Sequence, residues 1–203
     1  MIYRLLSFLL LTFTVIGCGK GGSAFSYDTK TIDTTKCFFS GEFTLQGTTP
    51  YFTDCATSKL MTLESKQMVK ITTQYSRLNN DNTAALCTLK GFYSAEKSAV
   101  VVTDFIGFNM TESCAPTKLN RTYAAANADT LTLLDSYTYC MTSKSKAIKG
   151  RWARMYDDSG VLILDGKNAI PFTINFGNEE NNNNLFLSFK DTDGKGVVFL
   201  PVQ

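Results

Sequence analysis

Hydrophobic and polar residues follow a two-residue rhythm over much of the first half of the chain, as in β-strands with one buried face. The rhythm changes once. Met68, Ile71, Tyr75 and Leu78 lie three, four and three positions apart, and this spacing predicts one amphipathic helix over residues 65–78. Three strands, a helix and two strands is the order of an OB-type small barrel. The strands are predicted at residues 37–45, 51–53, 59–63, 84–93 and 99–105.

In the second half, short apolar segments are separated by runs of Asp, Asn and Gly that have the chemistry of tight turns. This pattern predicts an antiparallel meander of about seven strands, curled or closed to cover its edges. Pro116 marks the boundary, because neither a helix nor a central strand continues through proline. We therefore predict an all-β protein with one helix and two domains, at residues 33–116 and 117–203. The apolar segments lie at residues 130–134, 137–141, 147–155, 161–164, 171–176, 185–189 and 197–202.

The N-terminus has the pattern of a targeting segment. One basic residue precedes an apolar run at residues 5–16, whose length of about 18 Å as a helix is too short for the ~30 Å core of a bilayer. Residues 1–17 are therefore predicted to be a signal peptide. The end of this segment, Val15-Ile16-Gly17-Cys18, resembles a bacterial lipobox, in which the cysteine receives a diacylglycerol, the peptidase cuts before it, and the new amino group is acylated.

Lipidation of Cys18 would anchor the mature chain stably in a membrane. Residues 18–32 begin with small, flexible residues and are predicted to be a tether. Residue 19 is glycine rather than aspartate, which favours the outer membrane. An ordinary signal peptide with Cys18 merely nearby is the alternative.

The composition excludes several functions. The chain has no histidine, so it lacks Ser-His-Asp and Cys-His nucleophile pairs and every histidine-ligated metal site. Removal of residues 1–17 takes away one positive charge and leaves 19 basic against 18 acidic residues, a balance that predicts no nucleic-acid partner. No pair of acidic residues stands out as a catalytic pair. We expect no catalysis and no cofactor apart from the covalent lipid.

Five cysteines remain after lipidation. Outside the cytoplasm they are expected to form two disulfides and leave one odd thiol, and fifteen arrangements are open. Their closest spacing is 18 positions, so no CxxC motif exists. The five are Cys37, Cys55, Cys87, Cys114 and Cys140.

One segment carries a family resemblance. Its sequence is Tyr51-Phe52-Thr53-Asp54-Cys55-Ala56-Thr57-Ser58-Lys59. It closely resembles the F-T-D-C-A-T-G-K stretch in the OB-like domain of the NlpE family, lipoproteins of copper homeostasis, surface sensing and envelope-stress signalling. Gly41-Glu42-Phe43 and residues 89–93 resemble strands of that domain, and Cys114 resembles its closing cysteine. The resemblance implies a disulfide between Cys55 and Cys114.

The second half resembles the family's lipocalin-like half-barrel, through a G-x-W segment at residues 150–152, an L-x-L segment at 161–164 and a closing segment at 185–194. This resemblance implies that Trp152 plugs a barrel end and that an arginine packs over it. Because Trp152 lies in the middle of the domain, a core tryptophan covered by Arg151 or Arg154 is the favoured interpretation. The two domains stand in reversed order relative to the family. The family's CxxC, its candidate copper site, has no counterpart here, so we expect no metal.

Two further expectations concern the thiols and the methionines. Cys37 and Cys87 each precede a glycine by four residues in strands expected to be neighbours, which suggests a second disulfide between them and leaves Cys140 as the odd thiol. Copper(I) could be held by methionines and that thiol, but core packing is the favoured interpretation of the methionines. The candidates are Met61, Met68, Met110, Met141 and Met155.

The pattern as a whole predicts a non-catalytic sensor or interaction protein of the bacterial envelope, with envelope proteins as partners. The alternative is a binder of a small hydrophobic ligand that uses the half-barrel as a cup. Residues 191–196 open like an EF-hand loop but lack the closing glutamate, and a hairpin turn is the favoured interpretation.

Overall fold

The computed structural model describes most of the chain after residue 26. The described residues are 27–33, 37–79, 81, 83–114, 118–143, 146–156, 158–165, 167–177 and 185–202. The predicted signal peptide, the predicted lipidation site Cys18, the boundary residue Pro116 and the Asn-rich segment at residues 178–184 lie outside this part of the chain. Within it, no helix is long and apolar enough to cross a lipid bilayer.

The fold class predicted from the sequence is confirmed: the structure is all-β with one helix. The first strands are β1 (Lys30–Thr31), β2 (Cys37–Gln46), β3 (Thr49–Asp54) and β4 (Leu60–Glu64). The helix α1 (Met68–Leu78) follows, and then β5 (Ala85–Ser94) and β6 (Ala99–Asn109). The remaining strands are β7 (Thr122–Ala125), β8 (Thr130–Leu133), β9 (Thr138–Ser143), β10 (Lys146–Tyr156), β11 (Ser159–Asp165), β12 (Asn168–Asn175), β13 (Phe186–Lys190) and β14 (Gly196–Pro201).

Strands β2–β6 form a small closed barrel, here called the OB barrel. The strand order is β2-β3-β4-β6-β5, and β5 pairs with β2 to close it. The β4–β6 pair is parallel, and the other pairs are antiparallel. Tyr75 of α1 packs edge-on against Phe43 inside the barrel, with ring centroids 4.9 Å apart, and both side chains are fully buried. The change from a two-residue to a helical rhythm therefore places α1 correctly between β4 and β5.

Strands β7–β14 form a second closed barrel, here called the C-terminal barrel. Each strand pairs antiparallel with the next, and β14 pairs with β7. The half-barrel expected from the resemblance is therefore a full barrel of eight strands. The strand that the sequence pattern did not identify is β7, which has only four residues, two of them alanines with little apolar surface. It is the strand that closes the barrel.

The segment before the OB barrel does not behave as the predicted tether. Tyr27 is buried, and its ring centroid lies 5.7 Å from that of Phe189 and 6.3 Å from that of Phe199. Its hydroxyl donates a hydrogen bond to the Asp129 carboxylate (2.7 Å). Strand β1 pairs with β12. The prediction of a tether over residues 18–32 is thus wrong for residues 27–32, because a large ring and two strand residues bind this segment to the C-terminal barrel.

The two barrels are in direct contact. Strand β10 pairs with β2 at Arg154 and Phe38, and the Leu119 amide donates a hydrogen bond to the Ala56 carbonyl (2.7 Å). The buried apolar side chains form one cluster that includes residues of both barrels. The contact region between the barrels is called the junction below.

Candidate functional site

The junction is organised by the turn that follows β3. The Asp54 carboxylate is buried and accepts hydrogen bonds from the Thr57 amide (2.9 Å) and the Thr57 hydroxyl (2.8 Å). The Asp54 carbonyl accepts a further hydrogen bond from the Ser58 amide (2.7 Å). Aspartate and threonine are common in turns because their short side chains can bind nearby backbone groups. The segment that resembles the NlpE family therefore comprises the end of β3 and the hydrogen-bonded turn that follows it.

A disulfide fixes this turn to the end of the OB barrel. Cys55 and Cys114 are bonded, with their Cα atoms 5.2 Å apart, as the resemblance implied. Ala56, the next residue in the turn, accepts the hydrogen bond from Leu119 just before the C-terminal barrel begins. The turn is thus attached to Cys114 by the disulfide and to Leu119 by a hydrogen bond.

The prediction of a second disulfide is wrong, because no bond joins Cys37 to Cys87. Strands β2 and β5 are antiparallel, so Cys37 faces Gly91 and Cys87 faces Gly41. The equal cysteine-to-glycine spacing would align the two cysteines only in parallel strands. Here they are four positions out of register, or about 13 Å along the strands, well beyond the ~7 Å limit between the Cα atoms of a disulfide. Cys140, on β9, is half-buried and forms no disulfide.

Aromatic side chains from both barrels meet at Tyr137, in the turn between β8 and β9. Its ring centroid lies 5.6 Å from that of Phe39, 4.8 Å from that of Tyr93 and 5.2 Å from that of Trp152. Phe39 and Tyr93 belong to the OB barrel, whereas Trp152 lies on β10. Tyr137 therefore connects the aromatic cores of the two barrels.

The two residues singled out by the G-x-W resemblance are both buried, but they have different partners. The Trp152 indole donates a hydrogen bond to the Leu134 carbonyl (2.9 Å), and the Trp152 amide donates one to the Tyr137 carbonyl (2.9 Å). The Arg154 guanidinium lies over the ring of Phe38, 5.4 Å from its centroid. Glycine is required at Gly150, because a Cβ atom there would lie 2.3 Å from the Ile163 carbonyl oxygen.

Burial controls the protonation of the polar groups at the junction. It raises the pKa of the Asp54 carboxyl, against the opposing effects of the hydrogen bonds from Thr57, the neighbouring Tyr137 hydroxyl and the positive charge of Arg154. Burial also raises the pKa of Tyr137 well above its ordinary value, and the Asp54 carboxylate adds to this shift. Tyr137 therefore stays protonated at neutral pH.

The raised pKa of Asp54 predicts a pH effect on stability. A carboxyl whose pKa is higher in the folded than in the unfolded chain stabilises the fold below about pH 4, and this contribution is lost as the pH rises through the folded-state pKa. We therefore expect the free energy of unfolding of the unaltered protein, minus that of Asp54→Asn, to decrease from acid to neutral pH. Urea unfolding at several pH values measures this difference. The control is Asp104→Asn, because Asp104 is exposed. An opposite slope for Asp54→Asn would contradict the prediction.

A cavity of about 260 Å³ lies beside this aromatic group. The OB barrel contributes Cys37, Phe39, Phe92 and Tyr93 to its wall. The C-terminal barrel contributes Tyr137, Arg151, Trp152, Ala153 and Ile163. The sequence singles out Cys37, residues 89–93 and the G-x-W segment separately, but nothing in it indicates that they meet, because they are far apart along the chain.

The remaining candidates form structural features. Asp191 accepts hydrogen bonds from the amides of Asp193 (3.0 Å) and Lys195 (2.8 Å), so the segment that opens like an EF-hand loop forms the hairpin turn between β13 and β14. Met61 and Met141 are buried in the core, and Met68 and Met155 pack against it. Met110 is 41% exposed, so the expectation of core packing is wrong for this residue. Among the described residues, no three cysteine, aspartate or glutamate side chains are close enough to form a metal site.

Comparison with known proteins adds no relative on which a function could be based. The resemblance to the NlpE family accordingly stands on the residues quoted above. The chain matches no family model, no curated protein and no solved structure.

Proposed function

We propose that this chain is a lipid-anchored protein of the bacterial envelope that resembles the NlpE family and acts, without catalysis, as a sensor or interaction protein in envelope stress or in surface or metal homeostasis. The observation that carries the proposal is the Cys55–Cys114 disulfide, which fixes the turn after β3 at the junction. Structural disulfides persist in oxidising compartments and are rare in the cytoplasm. The disulfide therefore supports the envelope location suggested by Val15-Ile16-Gly17-Cys18.

The position of Tyr27 supports a defined placement relative to the membrane. Cys18 precedes Tyr27 by nine positions, and nine residues span at most about 32 Å. Tyr27 packs against the C-terminal barrel. A lipid anchor at Cys18 would therefore hold the Tyr27 side of that barrel within about 32 Å of the membrane. An anchor of this kind raises the effective concentration of the protein for partners near the membrane.

An apolar row on the C-terminal barrel supports contact with a partner protein. Val198, Leu200 and Val202 occupy alternate positions on β14 and just beyond it, and their exposed fractions are 44%, 58% and 52%. Alternate strand residues share one face, so these side chains point outward together. Contiguous exposed apolar side chains mark interaction surfaces more often than isolated ones do. This row is the surface that we assign to an envelope protein partner.

The alternative function, a small hydrophobic ligand held inside the C-terminal barrel, has less support. An eight-stranded barrel is just wide enough to be filled by its own side chains or to hold one small ligand. Here large side chains of the barrel strands are fully buried, as expected when side chains fill the interior. They include Tyr123, Leu131, Tyr139, Trp152, Phe189 and Phe199.

The anchor is tested by replacing Cys18. Cys18→Ser is expected to abolish labelling of the protein by palmitate and to leave an unprocessed precursor, because the thiol is the acceptor of the lipid. Cys140→Ser is the matched control and should be labelled and processed normally, since Cys140 lies on a strand. Normal labelling of Cys18→Ser would overturn the lipoprotein proposal.

Crosslinking in the envelope tests whether the β14 row contacts a partner. The experiment compares the unaltered protein with the Leu200→Asp variant.

A further inference from the structure

Five of the nine described residues that line the junction cavity are aromatic. Phe39, Tyr93 and Tyr137 line it, and their rings contact one another around Tyr137. Aromatic rings pack favourably against other planar rings in stacked or edge-on arrangements. The Cys37 thiol adds an apolar surface rather than a charge, because burial raises its pKa to about 11. The walls therefore favour a flat, apolar group.

The charge at the cavity is supplied by Arg151. Register places Arg151 opposite Ile163 on β11, and both side chains line the cavity together with Ala153. Arg151 is exposed and donates one hydrogen bond, from its guanidinium to the Tyr93 carbonyl (3.1 Å). A guanidinium has five N–H donors in a planar fork that matches a carboxylate. The described contacts therefore leave Arg151 with donors for a ligand.

The neighbouring charges leave the cavity positive. The Lys59 ammonium lies 4.7 Å from the centre of the Tyr93 ring and donates a hydrogen bond to the Tyr93 hydroxyl (2.7 Å). The charge of Asp33 raises the pKa of the Cys37 thiol, whereas the charge of Arg151 lowers it. Among the described residues, Arg151 and Lys59 are thus positive and Asp33 is negative near the cavity, while Asp54 and Arg154 act on each other beside Tyr137, so the net charge favours an anion.

We propose that the junction cavity binds a small aromatic carboxylate. Its ring would lie against Phe92 and the cavity-facing edges of Phe39 and Tyr93, and its carboxylate would accept hydrogen bonds from Arg151. A volume of about 260 Å³ lies just below the ~300–1,000 Å³ of sites for drug-sized ligands. It accommodates a ligand with a single ring, such as phenylacetate. This inference does not depend on the lipid anchor or on the role in the envelope.

The single tryptophan of the chain reports on this cavity. Trp152 is among the lining residues, and its ring packs on Tyr137. We expect phenylacetate to change the fluorescence of the purified full-length protein in detergent with a saturable curve, half-complete at ~1 mM or below for a ligand of this size. Phenylacetamide, which has the same shape without the charge, should bind at least about tenfold more weakly, because it loses the charge-assisted hydrogen bonds.

Variants of Arg151 test the assigned contact. Arg151→Met should weaken phenylacetate binding about tenfold and leave phenylacetamide unchanged, and Arg151→Lys should restore part of the loss because it keeps the charge. Arg77→Met is the matched control, since Arg77 is an exposed arginine in the last turn of α1. Circular dichroism verifies that each variant is folded. Absence of saturation by ~10 mM, equal affinity for the acid and the amide, or binding unaffected by Arg151→Met would overturn the proposal.

Discussion

Replacing Cys55 and Cys114 together by serine is expected to lower the free energy of unfolding by about 4 kcal/mol. The bond closes a loop of 59 positions, and the chain-entropy model assigns roughly 4 kcal/mol to a loop of that length. Small domains are typically stable by only about 5–15 kcal/mol, so this is a large fraction of the total. The double replacement is used because a single one would leave a thiol able to react with another cysteine.

The same change is expected to loosen the junction. The turn held by the disulfide contains Ala56, which binds the Leu119 amide, and Asp54, which is buried beside Tyr137 and Arg154. Without the bond, protection of the Leu119 amide from hydrogen exchange should decrease more than that of amides within β11.

Guanidinium unfolding of the oxidised protein and its variants measures the loss in stability. Cys140→Ser is the control and should change the free energy of unfolding by less than about 0.5 kcal/mol, because Cys140 is half-buried and forms no disulfide. A loss below about 1 kcal/mol for the double variant would contradict the prediction. So would non-reducing peptide mapping that pairs Cys55 with any cysteine other than Cys114.

The OB barrel follows from the sequence because its signals are local. The helical spacing of Met68, Ile71, Tyr75 and Leu78 identifies α1 without reference to the rest of the chain. The order of strands around one helix then limits the topology to a few forms. The parallel β4–β6 pair and the closing β5–β2 pair agree with that order.

The missed features depend on contacts between distant residues. Tyr27 lies between polar residues in no periodic pattern, and its partner Asp129 is 102 positions away. Strand β7 is too short for its own pattern, and only its pairing with β14 and β8 defines it. The spacing of Cys37 and Cys87 relative to glycines is visible in the sequence, but the antiparallel direction of the two strands, which decides the outcome, is not.

The site was only partly predictable for the same reason. The G-x-W segment identified Trp152 and its neighbours, because it resembles a segment of lipocalin-like barrels. Nothing local indicates that Tyr137 would touch Phe39 and Tyr93 of the other barrel. The cavity arises where β10 and β11 meet the OB barrel, and it has no signature in either half alone.

Trp152→Ala is expected to lower the free energy of unfolding by about 3–5 kcal/mol, the usual cost of removing a buried tryptophan. Its side chain is only 1% exposed, and truncation would also remove the hydrogen bond to the Leu134 carbonyl and the ring contact with Tyr137. Because the variant lacks the fluorescent reporter, urea unfolding is followed by far-ultraviolet circular dichroism.

A second aromatic residue on the same strand serves as the control. It separates the effect of burial on the free energy of unfolding from the effect of replacing an aromatic residue in a strand. Tyr156 also lies on β10, but it is 62% exposed. Tyr156→Ala should therefore cost less than about 1 kcal/mol, since surface changes away from packed features have small effects. Trp152→Phe keeps most of the buried area and loses the indole donor, so its cost should fall between the two. If Trp152→Ala were no more costly than Tyr156→Ala, the packing of Trp152 would not stabilise the C-terminal barrel, and its link through Tyr137 to the OB barrel would carry little energy.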